Sequence, residues 1–146
     1  MAEPGPLPPG ITLRVWSLRA PKGAEPIFES KGKWLHPLFE LTEFLSLRPE
    51  IDPADLILRD RVIGRAAAFL ILRMGVTHAG ADVVSQRALS LFTQRGWSPT
   101  ADTIVERIGC QTEDLLAKVD NIDDAWDLLI ERRRIALMSL QRPVSS

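Results

Sequence analysis

Six positions in this chain have side chains whose type and spacing could do chemistry beyond packing: Asp60, Arg61, Arg65, Ser85, Cys110 and Glu113. The first three sit in one short stretch, Asp60-Arg61-Val62-Ile63-Gly64-Arg65. Read as the start of a helix, Arg61 and Arg65 are four apart and share a face. Two cations there oppose the helix dipole, so a bound phosphate or carboxylate would answer the conflict, helped by free backbone N–H groups. The alternative is a solvated face already neutralised by Asp60 and a nearby glutamate. Gly64 fits close approach by a ligand or tight packing on a sheet, since a glycine inside a helix costs about 1 kcal/mol against alanine. Ser85 is a helix cap or the edge of a pocket. Cys110 precedes an expected helix whose N-terminus would lower its thiol pKa, and Glu113 three residues on could carry a proton. The ordinary readings of that pair are an inert buried cysteine and a glutamate complementing the helix dipole.

The elements that must position these groups follow from hydrophobic spacing. The first ten residues hold four prolines and two glycines and read as a flexible arm, residues 1–10. Ile11 to Leu18 alternates as a strand, Ala20 to Ala24 is turn-forming, and Pro26 to Ser30 closes a hairpin. Leu35 to Leu47 is an amphipathic helix with Pro37 in its first turn. Asp52-Pro53-Ala54-Asp55 opens a short helix ending near Leu58. Asp60 then caps a long central helix reaching Gly75, apolar on nearly every face from Ala66 to Leu72 and therefore buried on more than one side. Strands follow at Val76 to Val84 and Pro99 to Ile108. Helices follow after Ser85, over Gln111 to Val119, and after Asn121, with residues 141–146 as a flexible tail. Hairpin strands followed by alternating helices and strands predict a mixed sheet covered by helices in a single domain, residues 11–140. In such sheets ligands sit at the carboxyl ends of strands beside helix N-termini.

Composition bounds the rest. The 146 residues carry a formal net charge of -1, with 45% hydrophobic and 25% charged residues. That gives no global field for nucleic acid or an anionic membrane. The Arg132-Arg133-Arg134 run lacks interleaved aromatics and reads as a solvated helix end. The longest clean apolar run, Ala66 to Leu72, is too short to span a bilayer. With no signal-like start and one cysteine, the expected location is cytoplasmic.

Several segments resemble the uncharacterised prokaryotic family called domain of unknown function 1893. They are Asp60-Arg61-Val62-Ile63-Gly64-Arg65-Ala66-Ala67-Ala68, Val83-Val84-Ser85-Gln86-Arg87-Ala88-Leu89, Cys110-Gln111-Thr112-Glu113 and Asn121-Ile122-Asp123-Asp124-Ala125-Trp126. The resemblance runs from about Thr12 to about Ile135. It departs at Gln111, where the family pattern has proline, and at the arginines that replace lysines. It implies an α/β, three-layer α-β-α sandwich with a mixed sheet, cytidine-deaminase-like, with pocket-forming helix starts at Gly64 and Ser85. It implies no particular reaction.

A zinc deaminase needs His-x-Glu and Pro-Cys-x-x-Cys. Neither pattern is present, and one cysteine cannot supply two thiolates. Hydrolytic zinc deamination is therefore excluded, and no metal or other cofactor is expected. Three functions remain. The first is binding of a small anionic, nucleotide-like ligand by Asp60, Arg61, Gly64, Arg65 and Ser85 on a zinc-free deaminase-like scaffold. The second is thiol chemistry at Cys110 with Glu113. The third is a structural or partner-binding role, including homo-oligomer formation.

Overall fold

A computed structural model describes residues 6–108, 115–116 and 118–141. Strand β1 (Leu13–Ser17) and strand β2 (Phe28–Ser30) form the expected hairpin, and helix α1 (His36–Ser46) comes next. A single 3₁₀ turn, Pro53–Asp55, leads into strand β3 (Leu56–Ile63). Then come helix α2 (Arg65–Met74), strand β4 (Ala79–Ser85), helix α3 (Gln86–Gln94), strand β5 (Thr100–Val105) and helix α4 (Ile122–Gln141).

The strands form one mixed sheet in the order β2-β1-β3-β4-β5. Strand β1 is antiparallel to both neighbours, whereas β3, β4 and β5 run parallel. The α/β class and mixed sheet expected from the sequence are therefore present.

The central strand is the largest departure from the sequence reading. Residues 56–63 are not a short helix leading to the cap of a longer one. They are β3, hydrogen-bonded on both sides. The Asp52 side chain does act as an N-cap, accepting from the Ala54 amide at 3.0 Å, but the helix it caps lasts one turn. Helix α2 begins at Arg65, with Gly64 as its N-cap in extended conformation. Gly64 therefore lies outside the helix and carries no helix-interior penalty. The other end of α2 does require glycine, because Gly75 has φ 90° and its N–H caps the Leu72 carbonyl.

The register explains the layering. Leu13, Val15, Leu56, Leu58, Ala79 and Ala81 share one face, and all are buried. The crossovers through α1, α2 and α3 each join parallel strands and step the same way across the sheet. Right-handed connections then put all three helices on that face. Helix α2 touches α1, α3 and α4, so it is enclosed laterally as well as from below. That is why Ala66 to Ile71 are all buried. In α4, Ala125 and Leu129 face inward, and Trp126 meets Phe39 of α1 with ring centroids 6.0 Å apart.

The opposite face is charged. Arg59 binds Asp82 at 2.6 Å and Asp102 at 2.8 Å, Arg61 binds Asp82 at 3.1 Å, and Arg14 binds Glu29 at 2.6 Å. These pairs span all five strands. Asp102 keeps 66% of its side chain exposed, and Arg14, Arg61 and Asp82 are partly exposed. Among the described residues the body is thus a sheet with its helices gathered on one side, not the three-layer sandwich expected.

Only residues 6–10 of the expected N-terminal arm are described, and they are tied down. Leu7 is buried. The Arg61 guanidinium donates to the Pro8 carbonyl at 2.6 Å and to the Ile11 carbonyl at 3.0 Å.

Ser85 caps α3 as the sequence suggests. It is fully buried, and its hydroxyl accepts from the Ala88 amide at 3.0 Å. Ser85→Ala is expected to cost about 1–2 kcal/mol, because a buried amide loses its acceptor. Urea denaturation of the two proteins checks this, and equal midpoints would contradict it.

Candidate functional site

A cavity of about 320 Å³ opens beside the carboxyl-terminal half of β3. Its walls come from five places. The segment entering α1 supplies Gly32, Lys33, Trp34, Leu35 and Pro37, and β1 is preceded by Thr12. Strand β3 supplies Asp60, Arg61 and Val62. Gly64, Ala66 and Ala67 come from the start of α2, and Ile108 closes the ring. The pocket therefore lies between the N-termini of α1 and α2, at the strand ends where parallel sheets place ligands.

Asp60 is the acidic residue of that wall. Its carboxylate accepts from the Arg61 amide at 2.8 Å. Loss of hydration pushes its pKa up to about 7, against the lowering effect of the Arg61 and Val62 backbone N–H groups, and the charge of Asp82 adds a smaller push in the same direction. Among the described residues no side-chain cation pairs with it, although Arg61 is its immediate neighbour. That guanidinium points to the charged face and to the arm, where it holds Asp82, Pro8 and Ile11. Burial alone would raise the Asp82 pKa too, but hydrogen bonds from Arg59 and Arg61 outweigh it and hold that carboxyl below its ordinary value.

The start of α2 supplies polar groups of another kind. The Arg65, Ala66 and Ala67 amides fall in the first turn and have no intrahelical acceptor, the first helical bond being Ala68 N–H to the Gly64 carbonyl. Gly64 has no side chain to cap them. Of these residues, Ala66 and Ala67 line the cavity.

Trp34 forms part of the mouth. It has φ 58°, in the left-handed region that non-glycine residues seldom occupy. Its ring lies 5.2 Å from His36 and 6.1 Å from Phe39, so packing holds the conformation.

Among the ligand-binding residues expected from sequence, the cavity brings together Asp60, Arg61 and Gly64. Arg65 and Ser85 do not line it. Arg65 is only 5% exposed and is directed into protein. Its guanidinium donates to the carbonyls of Leu116 at 2.8 Å, Arg87 at 3.2 Å and Val119 at 2.6 Å, and to Asp120 at 2.8 Å. The arginines expected to share one helix face are therefore on a strand and a helix, and their charges are directed to different partners. This also resolves the dipole conflict. The expected pairing of the Gly64 and Ser85 helix starts does not form a common cavity, because the start facing Gly64 across the pocket is that of α1. Cys110 and Glu113 lie outside the described residues. Among the described residues, no three His, Cys, Asp or Glu side chains are grouped to hold a metal ion.

Sequence reasoning misses Thr12, Lys33, Trp34 and Ile108 as pocket residues. Lys33 and Trp34 precede a helix, the one available signal, but nothing in their own spacing points to α2. They meet it only because α1 crosses to the same face of the sheet.

The family described as "Domain of unknown function (DUF1893)" matches residues 17–132 of this chain. The chain belongs to the DUF1893 family. A crystal structure of a DUF1893 family protein from Thermotoga maritima is similar at TM-score 0.70 and 25% sequence identity. The similarity covers 84% of this chain and 80% of that one. Comparison with the curated proteins found no match. Among the described residues, no helix of this DUF1893 protein is long and apolar enough to cross a membrane.

Proposed function

We propose that this DUF1893 protein binds a small organic molecule in the cavity between α1 and α2, on a zinc-free scaffold of the cytidine-deaminase type. One observation carries the reading. A largely apolar cavity of about 320 Å³, within the usual size range of ligand sites, has on its wall a carboxyl group that no side-chain cation pairs with among the described residues, and uncapped helix amides beside it. Core packing would favour filling such a space and pairing such a carboxyl. The deaminase-type scaffold rests on the family resemblance of the Asp60 to Ala68 block, the Ser85 helix start lying outside the cavity.

An anionic ligand is expected from sequence only if Arg61 and Arg65 act together. Both guanidiniums are engaged by protein groups. Charge selection therefore falls to Asp60, Lys33 at the rim and the α2 amides. Thiol chemistry at Cys110 with Glu113 stays a separate proposal. It is tested by the pH dependence of thiol alkylation, which must show a depressed pKa.

Native mass spectrometry of freshly purified protein, then a thermal-shift panel of metabolites, tests the binding reading. A ligand at a hundredfold excess over its Kd is expected to stabilise the protein by about 2–3 kcal/mol. Val62→Trp should abolish that gain, since Val62 lines the cavity yet is 41% exposed, so a larger side chain narrows the site without overpacking the core. A hit whose shift survives Val62→Trp binds elsewhere and counts against the pocket.

A further inference from the structure

The charge arrangement around the cavity specifies its occupant more closely, on the condition that the cavity is a ligand site as proposed above. We infer that the occupant presents a protonated nitrogen, in an amine or amidine group, to the Asp60 carboxylate, and lays an apolar body against Trp34, Leu35 and Pro37.

A carboxylate withdrawn from water is costly unless a cation or several hydrogen bonds compensate it. Asp82, one strand away, shows the compensation this fold can provide, with two guanidiniums at 2.6 and 3.1 Å. Asp60 receives backbone N–H groups and, among the described residues, no side-chain cation. The two cations adjacent in sequence are directed elsewhere, Arg59 to Asp82 and Asp102, and Arg61 to Asp82, Pro8 and Ile11. The second arginine of the segment, Arg65, is consumed by three carbonyls and Asp120. Lys33 shares the cavity wall but is exposed at its rim. Among the described residues the site is thus short of one positive charge, and a ligand nitrogen would supply it. An anionic group placed at Asp60 would instead add a second negative charge to a desolvated carboxylate.

The walls fit the same class. Apart from Thr12, Lys33, Asp60 and Arg61, the lining side chains are apolar or glycine. An aromatic wall such as Trp34 also accommodates a cation well. The α2 amides on the same cavity suit an oxygen or ring-nitrogen acceptor elsewhere on the ligand. Among the described residues, the charged groups around Asp60 are Lys33 from the segment entering α1, Arg59 and Arg61 on β3 itself, both paired on the charged face of the sheet, and Asp82 on β4. The facing positions of β1 and α2, Leu13 and Ala66, carry no charge.

Three isosteric probes separate the outcomes: benzamidine, benzamide and benzoate, titrated calorimetrically at millimolar concentration. Benzamidine is expected to bind at least about tenfold more tightly than benzoate at pH 8. Its affinity should rise about tenfold from pH 6 to pH 8, tracking ionisation of a carboxyl near pH 7, whereas benzamide should change little. Asp60→Asn should remove the preference for benzamidine and flatten its pH dependence while leaving benzamide within about threefold. Benzoate binding as tightly as benzamidine, with sensitivity to Val62→Trp, would keep the pocket and overturn the inference. Unchanged binding of benzamidine to Asp60→Asn would overturn it as well. If none of the three probes binds, the inference is overturned, and the metabolite panel separately decides the pocket.

Discussion

Replacing Arg65 with alanine is expected to destabilise the protein by about 3–5 kcal/mol, lowering Tm by roughly 10 °C. The side chain is buried and binds the carbonyls of Leu116, Arg87 and Val119 as well as Asp120. One residue thereby ties the start of α2 to α3 and to the segment before α4. Truncation leaves those carbonyls without this donor and opens a void beside Phe69, whose ring centroid lies 5.3 Å from the guanidinium carbon. Lysine should recover only part of the loss, since a single ammonium cannot reproduce a planar fork serving several acceptors. Asp120→Ala should cost under about 1 kcal/mol, because that carboxylate is 76% exposed and the pair is screened by water. Urea denaturation of the three variants gives the comparison. A loss at Arg65→Ala no larger than at Asp120→Ala would show that the buried carbonyls are satisfied without it.

Asp60→Asn should stabilise the protein at high pH and leave it nearly unchanged at low pH. The Asp60 carboxyl titrates near 7 in the folded chain against an ordinary 3.8. The folded state therefore holds a proton that the unfolded state has lost between those values. Stability contributed by this group is full below about pH 4, falls as pH rises towards 7 and is lost above it. A carboxyl displaced that far bounds the effect at about 4 kcal/mol, and hydration of a half-buried group reduces it to about 1–3 kcal/mol. Asparagine keeps an oxygen to accept from the Arg61 amide and carries no charge. Chemical denaturation at pH 5 and pH 8 checks the prediction. An equal difference between variant and wild type at both values would place the effect outside Asp60 ionisation.

These two residues show why the site is only partly readable from sequence, which places both in one helix start. Asp60 does look like an N-cap, and a strand with Arg59, Asp60 and Arg61 at its centre violates ordinary strand preference. The partners that permit it are supplied mostly by residues more than twenty positions away: Asp82 and Asp102 neutralise Arg59, and Asp82 with the arm carbonyls occupies Arg61. A signal is present in the alternation of Leu56 and Leu58 with Arg59 and Arg61, buried face against charged face. Ile57 masks its amplitude, and the capping signal at Asp52 favours a helix.

Other elements are legible because local chemistry specifies them. The hairpin comes from alternation around a turn, α1 from helical spacing and a first-turn proline, α3 from helical spacing and its Ser85 cap, and the end of α2 from the left-handed demand met by Gly75. The family is legible too, from the block Asp60 to Ala68, since membership tracks motif identity even where the motif's secondary structure is misread.

The sequence by itself determined the mixed α/β class, the hairpin, the helices α1 and α3, the family, and the spine Ala66 to Leu72, which is buried as far as Ile71. These rest on interactions within a few residues or on apolar periodicity, which a linear chain displays. Only the tertiary structure decided that Arg61 and Arg65 act apart, that the helices gather on one face, and that the pocket lies between α1 and α2 with no side-chain cation on Asp60 among the described residues. Each depends on which partner a charged side chain finds across the sheet, and charge–partner distance is a property of the fold that spacing along the chain does not contain.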